Sequence, residues 1–275
     1  MRTNLLIHPR SLLHALGMVM VAGALSAQQP GALADADTSA TPAATSGVVR
    51  PSRAAAVPVS ASLRRAAEVR EAARVARGRR LIVSLEERRL WSMDNGDTLY
   101  SAPIAVGKGT RLEYGRTVWD FTTPAGVRRV QRKAPNPVWV PPDWHYVELA
   151  KDSAWTVARL ERGRATRLPD GTRLEVRGER IGRVHPGGRV ELLPADEEVI
   201  FGDTIFIPPL GTTNRSVEGE LGKFKLELGD GYMIHGTRHQ DSIGQAATHG
   251  CIRMTDADIS YIYNTVPVGI PVYIY

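Results

Sequence analysis

Apolar and polar residues alternate over short stretches from residue 80 onwards, a pattern that predicts β-strands. Residues 81–107 predict two strands joined by a tight turn at 94–97, where Asn-Gly tolerates positive φ. The segment FKLELGDGYMIHG (224–236) predicts a second hairpin that turns at 229–231. Further strands are predicted at 118–121, 127–130, 138–140, 200–207 and the closing PVYIY. The chain is therefore expected to be mainly β.

Three segments show helical spacing instead. Residues 61–77 are rich in helix formers and stop at Gly78, but their apolar face is weak, so loose docking or a simple extension of the linker is expected. Residues 144–160 carry apolar residues every three or four positions. In residues 255–266, Thr255 is the expected N-cap and Ile259, Ile262 and Val266 form a buried stripe.

The N-terminal region differs in amino-acid composition from the rest of the chain. Residues 1–27 combine a basic start, an apolar run and small residues, the layout of a secretory signal peptide. An uncleaved anchor helix is the alternative, although the run is short for a membrane span. Residues 28–60 are rich in Ala, Ser, Thr and Pro and predict a disordered linker, followed by a helical lead-in at 61–79. The domain itself is expected at 80–275, with an insertion at about 150–200.

The amino-acid composition and charge limit the classes of partner that the protein is expected to bind. The 275 residues are 43% hydrophobic and 23% charged, as in an ordinary globular protein, and the net charge is +6. No segment interleaves basic and aromatic residues, so no nucleic acid partner is predicted. We expect an exported protein of the periplasm or cell wall, with no stable membrane span after signal cleavage. The sequence leaves the oligomeric state open.

Cys251 is the only cysteine of the chain. A single cysteine cannot form an internal disulfide, and an unpaired thiol in an oxidising compartment is exposed to oxidation. Such a residue is either buried and inert or required for its chemistry. The polar neighbours Thr248, His249, Gly250 and Arg253 favour the second interpretation.

Residues 234–254 concentrate three histidines around this cysteine. A thiol attacks acyl groups as the thiolate, so it needs a base, and His235 at the predicted strand end is suited to that role. Gly250 lets backbone N–H groups turn towards a carbonyl oxygen, as in an oxyanion hole. A zinc site made by His235, His239, His249 and Cys251 is an alternative, although Gly236 and Thr237 argue against a helix that presents both of the first two. The glycine-rich stretch at 107–110 is interpreted as a strand-end turn rather than a phosphate loop.

This segment resembles the signature of the YkuD-type L,D-transpeptidase catalytic domain, in which His-Gly precedes Ser/Thr-His-Gly-Cys-x-Arg. The counterparts here are His235-Gly236 and the run from Thr248 to Arg253. The resemblance extends from about residue 80 to the C-terminus, except for residues 150–200, which are unlike the compact members. It implies a β-rich fold of mixed sheets with a few short helices.

The resemblance also implies roles for individual residues. Cys251 would be the nucleophile, His235 the base, and the carbonyl of Gly236 would orient the imidazole. The N–H groups of Gly250 and Cys251 would form the oxyanion hole. Three further residues would have supporting roles. Arg253 would hold the motif loop or a substrate carboxylate, and His249 would support the loop. Thr248 occupies a position where serine is commoner in the family. His239 is expected to be an exposed bystander.

The implied reaction is a two-step acyl transfer on peptidoglycan stem peptides, without a metal or organic cofactor. Cys251 would release the terminal D-Ala and pass the acyl group to an amine. An L,D-carboxypeptidase on the same scaffold, with water as the acceptor, is the nearest alternative. A non-catalytic wall-binding module and, more distantly, a zinc hydrolase complete the alternatives.

Overall fold

The computed structural model describes residues 59–195 and 197–275, so the predicted signal peptide and residues 28–58 of the predicted linker lie outside the described residues. The helices there are α1 Val59–Val75, α2 Asp143–Ser153 and α3 Asp256–Thr265. The strands of the first half are β1 Arg79–Ser84, β2 Arg89–Asp94, β3 Asp97–Pro103, β4 Val106–Gly107, β5 Arg111–Tyr114, β6 Thr117–Asp120, β7 Gly126–Arg129 and β8 Arg132–Pro135. Those of the second half are β9 Thr156–Arg159, β10 Thr166–Arg167, β11 Arg173–Arg177, β12 Arg180–Val184, β13 Val190–Leu192, β14 Val199–Phe201, β15 Thr204–Ile207, β16 Phe224–Gly229, β17 Tyr232–His235, β18 Ala246–Thr248, β19 Ile252–Arg253 and β20 Pro271–Ile274.

A five-stranded sheet with the order β3-β2-β1-β20-β7 contains both ends of the domain. The closing strand β20 runs parallel to β1 and antiparallel to β7, so the sheet is mixed. The predicted hairpin turn is confirmed between β2 and β3, with Asn95 at φ 50. The predicted first strand is instead two strands, because the chain reverses between β1 and β2 with Arg88 at φ 49.

A second mixed sheet, β19-β17-β16-β8, carries His235 on β17 and Arg253 on β19. The predicted hairpin of β16 and β17 is confirmed, and β19 runs parallel to β17. One apolar core joins this sheet to the five-stranded sheet and to α3, through residues such as Leu81, Leu90, Leu226, Ile234, Ile252, Ile259 and Ile262. The strands next to the His235 and Cys251 positions are thus anchored on the main core.

The helix α3 forms as its sequence predicts. Thr255 is the N-cap, and its hydroxyl accepts a hydrogen bond from the N–H of Asp258 at 3.1 Å. Ile259 and Ile262 are fully buried. Asp256 and Asp258 lie in the first turn, where carboxylates suit the positive end of the helix dipole.

The central helix is shorter than the spacing of residues 144–160 suggests. α2 ends at Ser153, Ala154 has φ 56, and residues 156–159 form β9, which pairs in parallel with β15. The prediction of a continuous helix was wrong because this distant pairing outweighs local spacing, and Thr156 and Val157 are β-branched residues suited to a strand. The single strand predicted at 200–207 is a hairpin of β14 and β15. The strand predicted at 138–140 is reduced to one bridge between Trp139 and Val217.

Within the predicted insertion, β10 to β13 form a separate antiparallel sheet. This sheet shares a small apolar cluster with β14 and β15, composed of Leu160, Leu168, Leu174, Ile181, Val199 and Phe206. The inserted segment therefore has its own packing.

The helix α1 packs more closely than its weak apolar face suggests. Val69 and Ala73 are only 3% and 2% exposed, and the helix lies against β20 and β7. The guanidinium of Arg70 lies 5.6 Å above the ring of Tyr275. No helix in the described part of the chain combines the length and the apolar character needed to cross a membrane.

Candidate active site

Two parallel strands bring the histidine and the cysteine motif together. In the register of β17 and β19, Ile234 pairs with Ile252 and His235 pairs with Arg253. Cys251 directly precedes β19, and both isoleucines are buried, at 0% and 1% exposed. Paired residues of neighbouring strands share a face of the sheet, so Arg253 lies on the face that carries His235, and Cys251 precedes Arg253 by two residues.

The imidazole of His235 is buried and oriented by a backbone carbonyl. The residue is 4% exposed, and its Nδ1 lies 2.6 Å from the carbonyl oxygen of Gly236. Burial lowers the pKa of His235 to about 4; the hydrogen bond to Gly236 opposes this shift, and the positive charges of Arg253 and Lys225 reinforce it. The imidazole is therefore neutral at neutral pH, as a proton acceptor must be.

The thiol of Cys251 is partly exposed and lies next to the turn between β16 and β17. Its Sγ is 3.9 Å from the carbonyl oxygen of Gly231. Burial raises the pKa of Cys251, against the lowering effects of a backbone hydrogen bond from Met233 and of the charge of Arg253. The resting site thus holds a neutral thiol and a neutral imidazole, with the guanidinium of Arg253 acting on both.

The loop before the cysteine is held by two threonine hydroxyls. Thr248 Oγ1 donates to the carbonyl oxygen of Cys251 at 2.6 Å and accepts from the N–H of Gly250 at 3.1 Å. Thr123 Oγ1 donates to the carbonyl oxygen of Gly250 at 3.0 Å and accepts from the N–H of Gly107 at 2.8 Å. The Gly250 N–H, one of the two expected oxyanion donors, is therefore engaged with Thr248 in this structure.

Both motif glycines occupy positions that exclude a side chain. Gly250 has φ 119, and a Cβ there would lie 3.1 Å from Tyr232 Cε1 and 3.2 Å from the carbonyl oxygen of Thr122. At Gly236, a Cβ would collide with the carboxylate of Asp256. Glycine is required at 250 by its backbone conformation and at 236 by close approach.

The imidazole of His249 is directed towards α2. It stacks on Trp144 with a centroid distance of 3.9 Å and meets Phe121 edge-on at 4.5 Å. Its Nε2 lies 2.7 Å from Glu148 Oε2, and the other carboxylate oxygen lies 2.5 Å from Lys108 Nζ. Hydrogen bonds from His249 and Lys108 lower the pKa of Glu148 to about 2, although burial opposes them.

Two motif residues remain, Arg253 and His239, and their surroundings differ. The backbone of Arg253 bridges that of Ala105, and its Nε is buried without a hydrogen-bond partner in the described residues. His239 is exposed as expected, at 47%, and lies 3.2 Å from a carboxylate oxygen of Glu220. Within residues 59–195 and 197–275, no three His, Cys, Asp or Glu side chains are grouped to hold a metal ion. The four residues of the zinc alternative therefore do not assemble.

Sequence reasoning missed Thr123, Lys108, Trp144 and Glu148. Lys108 lies in the glycine-rich stretch, which is a strand end after β4 as predicted, but nothing local indicates that its amine reaches Glu148. Trp144 and Glu148 are four residues apart on α2 and share a helix face, the one signal that the sequence offers for the pair.

Comparison with known proteins places these features in context. Residues 78–274 match the sequence model of the YkuD family, the L,D-transpeptidase catalytic domain. The chain is 38% identical over 52 residues to the probable L,D-transpeptidase YbiS of Escherichia coli, a match that covers 19% of this chain and 17% of that protein. It is 26% identical over 191 residues to the probable L,D-transpeptidase ErfK/SrfK of Salmonella typhimurium, covering 69% of this chain and 41% of that protein. The matches thus span less than half the length of these relatives.

Solved structures give a more distant similarity. The crystal structure of an L,D-transpeptidase from Xylanimonas cellulosilytica aligns with a TM-score of 0.39 at 14% identity, over 74% of this chain and 62% of that one. The catalytic domain of the E. faecium L,D-transpeptidase aligns with a TM-score of 0.37 at 15% identity, over 73% of this chain and 99% of that one.

Proposed function

Because this chain belongs to the YkuD family of L,D-transpeptidase catalytic domains, we propose that it is an exported peptidoglycan L,D-transpeptidase with Cys251 as its nucleophile. The observation that carries the proposal is the arrangement of His235. A buried neutral imidazole, held at Nδ1 by the Gly236 carbonyl, lies on the strand that pairs with the strand following Cys251. This geometry leaves Nε2 to accept the thiol proton.

The first half-reaction forms an acyl-enzyme. His235 Nε2 takes the proton of Cys251 as Sγ attacks the carbonyl between the L-configured centre of the diamino acid and the terminal D-Ala of a tetrapeptide stem. The tetrahedral oxyanion collapses, the C–N bond breaks, and the imidazolium returns the proton to the amine of the departing D-Ala. The product is a thioester on Cys251.

The second half-reaction releases the enzyme. An amine of a second stem attacks the thioester, His235 takes its proton, and the proton returns to the departing thiolate of Cys251. An amide cross-link is formed and the free thiol is restored. If water attacks instead, the same steps give a carboxypeptidase.

The other motif residues serve this chemistry by position and charge. The N–H of Cys251 is directed to the oxyanion, while that of Gly250 joins it once Thr248 releases it. Arg253 favours the thiolate by its charge, and its fork suits a substrate carboxylate. Thr248 and His249 hold the loop.

Export follows from residues 1–27, which would direct the enzyme to the periplasm or cell wall. Expression of the full chain in a bacterium with peptidoglycan, followed by N-terminal sequencing of the wall-associated protein, tests this step. A mature N-terminus close to residue 28 supports export with cleavage, and retention of all 275 residues in the cytoplasm contradicts it.

The enzymatic proposal is tested by mass spectrometry of the protein after incubation with disaccharide-tetrapeptide stems and, separately, with a carbapenem. An adduct on Cys251, loss of D-Ala and cross-linked stems are expected for the wild type, and none of them for Cys251→Ala. Tripeptide without cross-links would assign the carboxypeptidase instead. The absence of any adduct on the wild type would leave a wall-binding module.

A further inference from the structure

Glu148 and Trp144 of α2 enclose the His249 imidazole from two sides. Trp144 covers one face of the ring, at a centroid distance of 3.9 Å and an interplanar angle of 17°. Glu148 accepts at the ring edge, 2.7 Å from Nε2. Because the two residues are one helical turn apart, α2 presents a stacking surface and an acceptor as one unit.

Nε2 of the ring has two polar neighbours, Glu148 Oε2 at 2.7 Å and Lys108 Nζ at 3.1 Å, and the shorter contact assigns its hydrogen. The Glu148 carboxylate has a pKa of about 2, so it carries no proton to donate, and Nε2 must supply the hydrogen. Lys108 Nζ occupies the other carboxylate oxygen at 2.5 Å, which prevents the carboxylate from turning away. The three side chains are only 22% to 29% exposed, so water competes weakly for these charge-assisted bonds.

The attachment reaches the nucleophile through two residues. His249 lies between Thr248 and Gly250, which hold the carbonyl oxygen of Cys251 and the turn before it. The backbone N–H of Lys108 also donates to the carbonyl oxygen of Thr248 at 2.8 Å. The side chain of His249 therefore connects the Cys251 loop to α2, which lies outside the β19-β17-β16-β8 sheet.

Strand β15 in turn holds α2. Tyr146 and Ala150 of α2 pack with Ile205 and Ile207 of β15, and β15 pairs with β9, which follows the helix. The helix α2 is thus held by β15, and β15 is paired with β9, the strand that directly follows α2. A shift of α2 would move Glu148 and Trp144 together, and His249 with them.

We propose that Glu148 is a positioning residue, which acts through His249 to set the orientation of the Cys251 loop. The inference rests on the proposed acyl-transfer function. The loop retains its own bonds through Thr248 and Thr123 when Glu148 is changed. The Cys251 loop can therefore stay folded in the variant while its orientation, and with it the rate of acylation, changes.

The test compares Glu148→Gln with the wild type as the full chain, with a carbapenem as the probe. The limiting acylation rate constant is expected to fall about tenfold or more, since small misplacements of a nucleophile are costly. The half-saturating concentration should change little. The melting temperature is expected to fall, because Glu148→Gln removes the negative charge that His249 and Lys108 stabilise, so the rates are compared well below both melting transitions. Glu161→Gln is the control for a Glu-to-Gln change as such, because Glu161 is 62% exposed and, among the described residues, pairs with Arg164 at 3.5 Å; it should acylate at the wild-type rate.

A double-mutant cycle separates positioning from simple support of α2. His249→Phe keeps a ring to stack on Trp144 but removes the donor to Glu148. In that background Glu148→Gln is expected to cause no further loss. An equal loss in both backgrounds would show that Glu148 does not act through His249 and would overturn the inference.

Lys108→Met provides a second variant that leaves the Glu148–His249 bond in place. A smaller loss in the same rate constant is expected, and a wild-type rate in both Lys108→Met and Glu148→Gln would overturn the inference. A wild type without an adduct contradicts the proposed function, whereas a wild type and Glu148→Gln that acylate equally fast contradict the positioning role alone.

Discussion

His235 Nδ1 lies 2.6 Å from the carbonyl oxygen of Gly236. A carbonyl oxygen only accepts, so Nδ1 carries the ring hydrogen and Nε2 is the free base. A carbonyl lacks the full negative charge that a carboxylate brings to other triads, so it stabilises the imidazolium weakly. Burial therefore keeps the pKa of His235 low, because the hydrogen bond to Gly236 offsets only part of its effect.

The first prediction concerns the pH dependence of acylation. Because the pKa of His235 is lowered to about 4, the base stays unprotonated down to that region. The acylation rate with a carbapenem should therefore fall only as the pH drops through about 4, well below the usual histidine range. Stopped-flow measurements from pH 3.5 to 8 test this, and an acid limb near 6.5 would contradict the burial of a neutral base.

The second prediction concerns stability. A histidine with a lowered folded-state pKa binds fewer protons in the folded than in the unfolded protein between about pH 4 and its ordinary value of 6.5. The stabilisation is fully present above 6.5 and is lost as the pH falls towards 4, by up to about 3 kcal/mol. Urea unfolding at a series of pH values should show this slope, and His235→Gln should flatten it.

Its control is Leu210→Gln, which alters a side chain that is 66% exposed and has no ionisable group, so the slope should be unchanged. The measurement is best made between pH 7 and 5. Glu148, whose pKa is lowered to about 2, loses its own contribution only below its ordinary range near 4.5. An unchanged slope in His235→Gln would sink the prediction.

The third prediction addresses the hydroxyl of Thr248. This residue is 1% exposed and satisfies both the Cys251 carbonyl and the Gly250 N–H. Thr248→Val leaves both groups without a partner and should destabilise the protein by about 1–3 kcal/mol. Acylation should slow with it. Thr248→Ser keeps the hydroxyl and should retain most of both properties, so equal losses in the two variants would assign the effect to the methyl group.

The sequence predicted the parts of the site that are local. The β16–β17 hairpin, the cap of α3 and the His235–Cys251 motif each lie within a short window whose pattern is visible. The parts that it missed depend on distant pairing. β9 forms because β15, more than forty residues later, pairs with it, and Glu148 meets His249 across 101 positions. No local spacing of apolar residues encodes such contacts, so a helix was extended too far and the partner of His249 was not found.

The fourth prediction uses the backbone of Gly250. Its φ of 119 strains any other residue, and a Cβ would lie within 3.2 Å of both Tyr232 Cε1 and the Thr122 carbonyl oxygen. A backbone carbonyl cannot swing aside as a side chain can, so Gly250→Ala must displace the loop that carries Cys251. Acylation should fall by about a hundredfold or more, because displacement of the nucleophile by about 1 Å is enough for such a loss.

Gly244→Ala separates this displacement from backbone strain alone. Gly244 also has a positive φ, 85, but a Cβ there would meet nothing within 4 Å. Both variants should lose stability through strain, by about 1–2 kcal/mol, because left-handed backbone is costly for any residue with a Cβ. Only Gly250→Ala should lose acylation beyond that. Parallel melting curves and carbapenem adduct rates measure the two effects. If Gly244→Ala slowed acylation as much as Gly250→Ala, the rate would follow general stability, and the close contacts of Gly250 would not govern the position of Cys251.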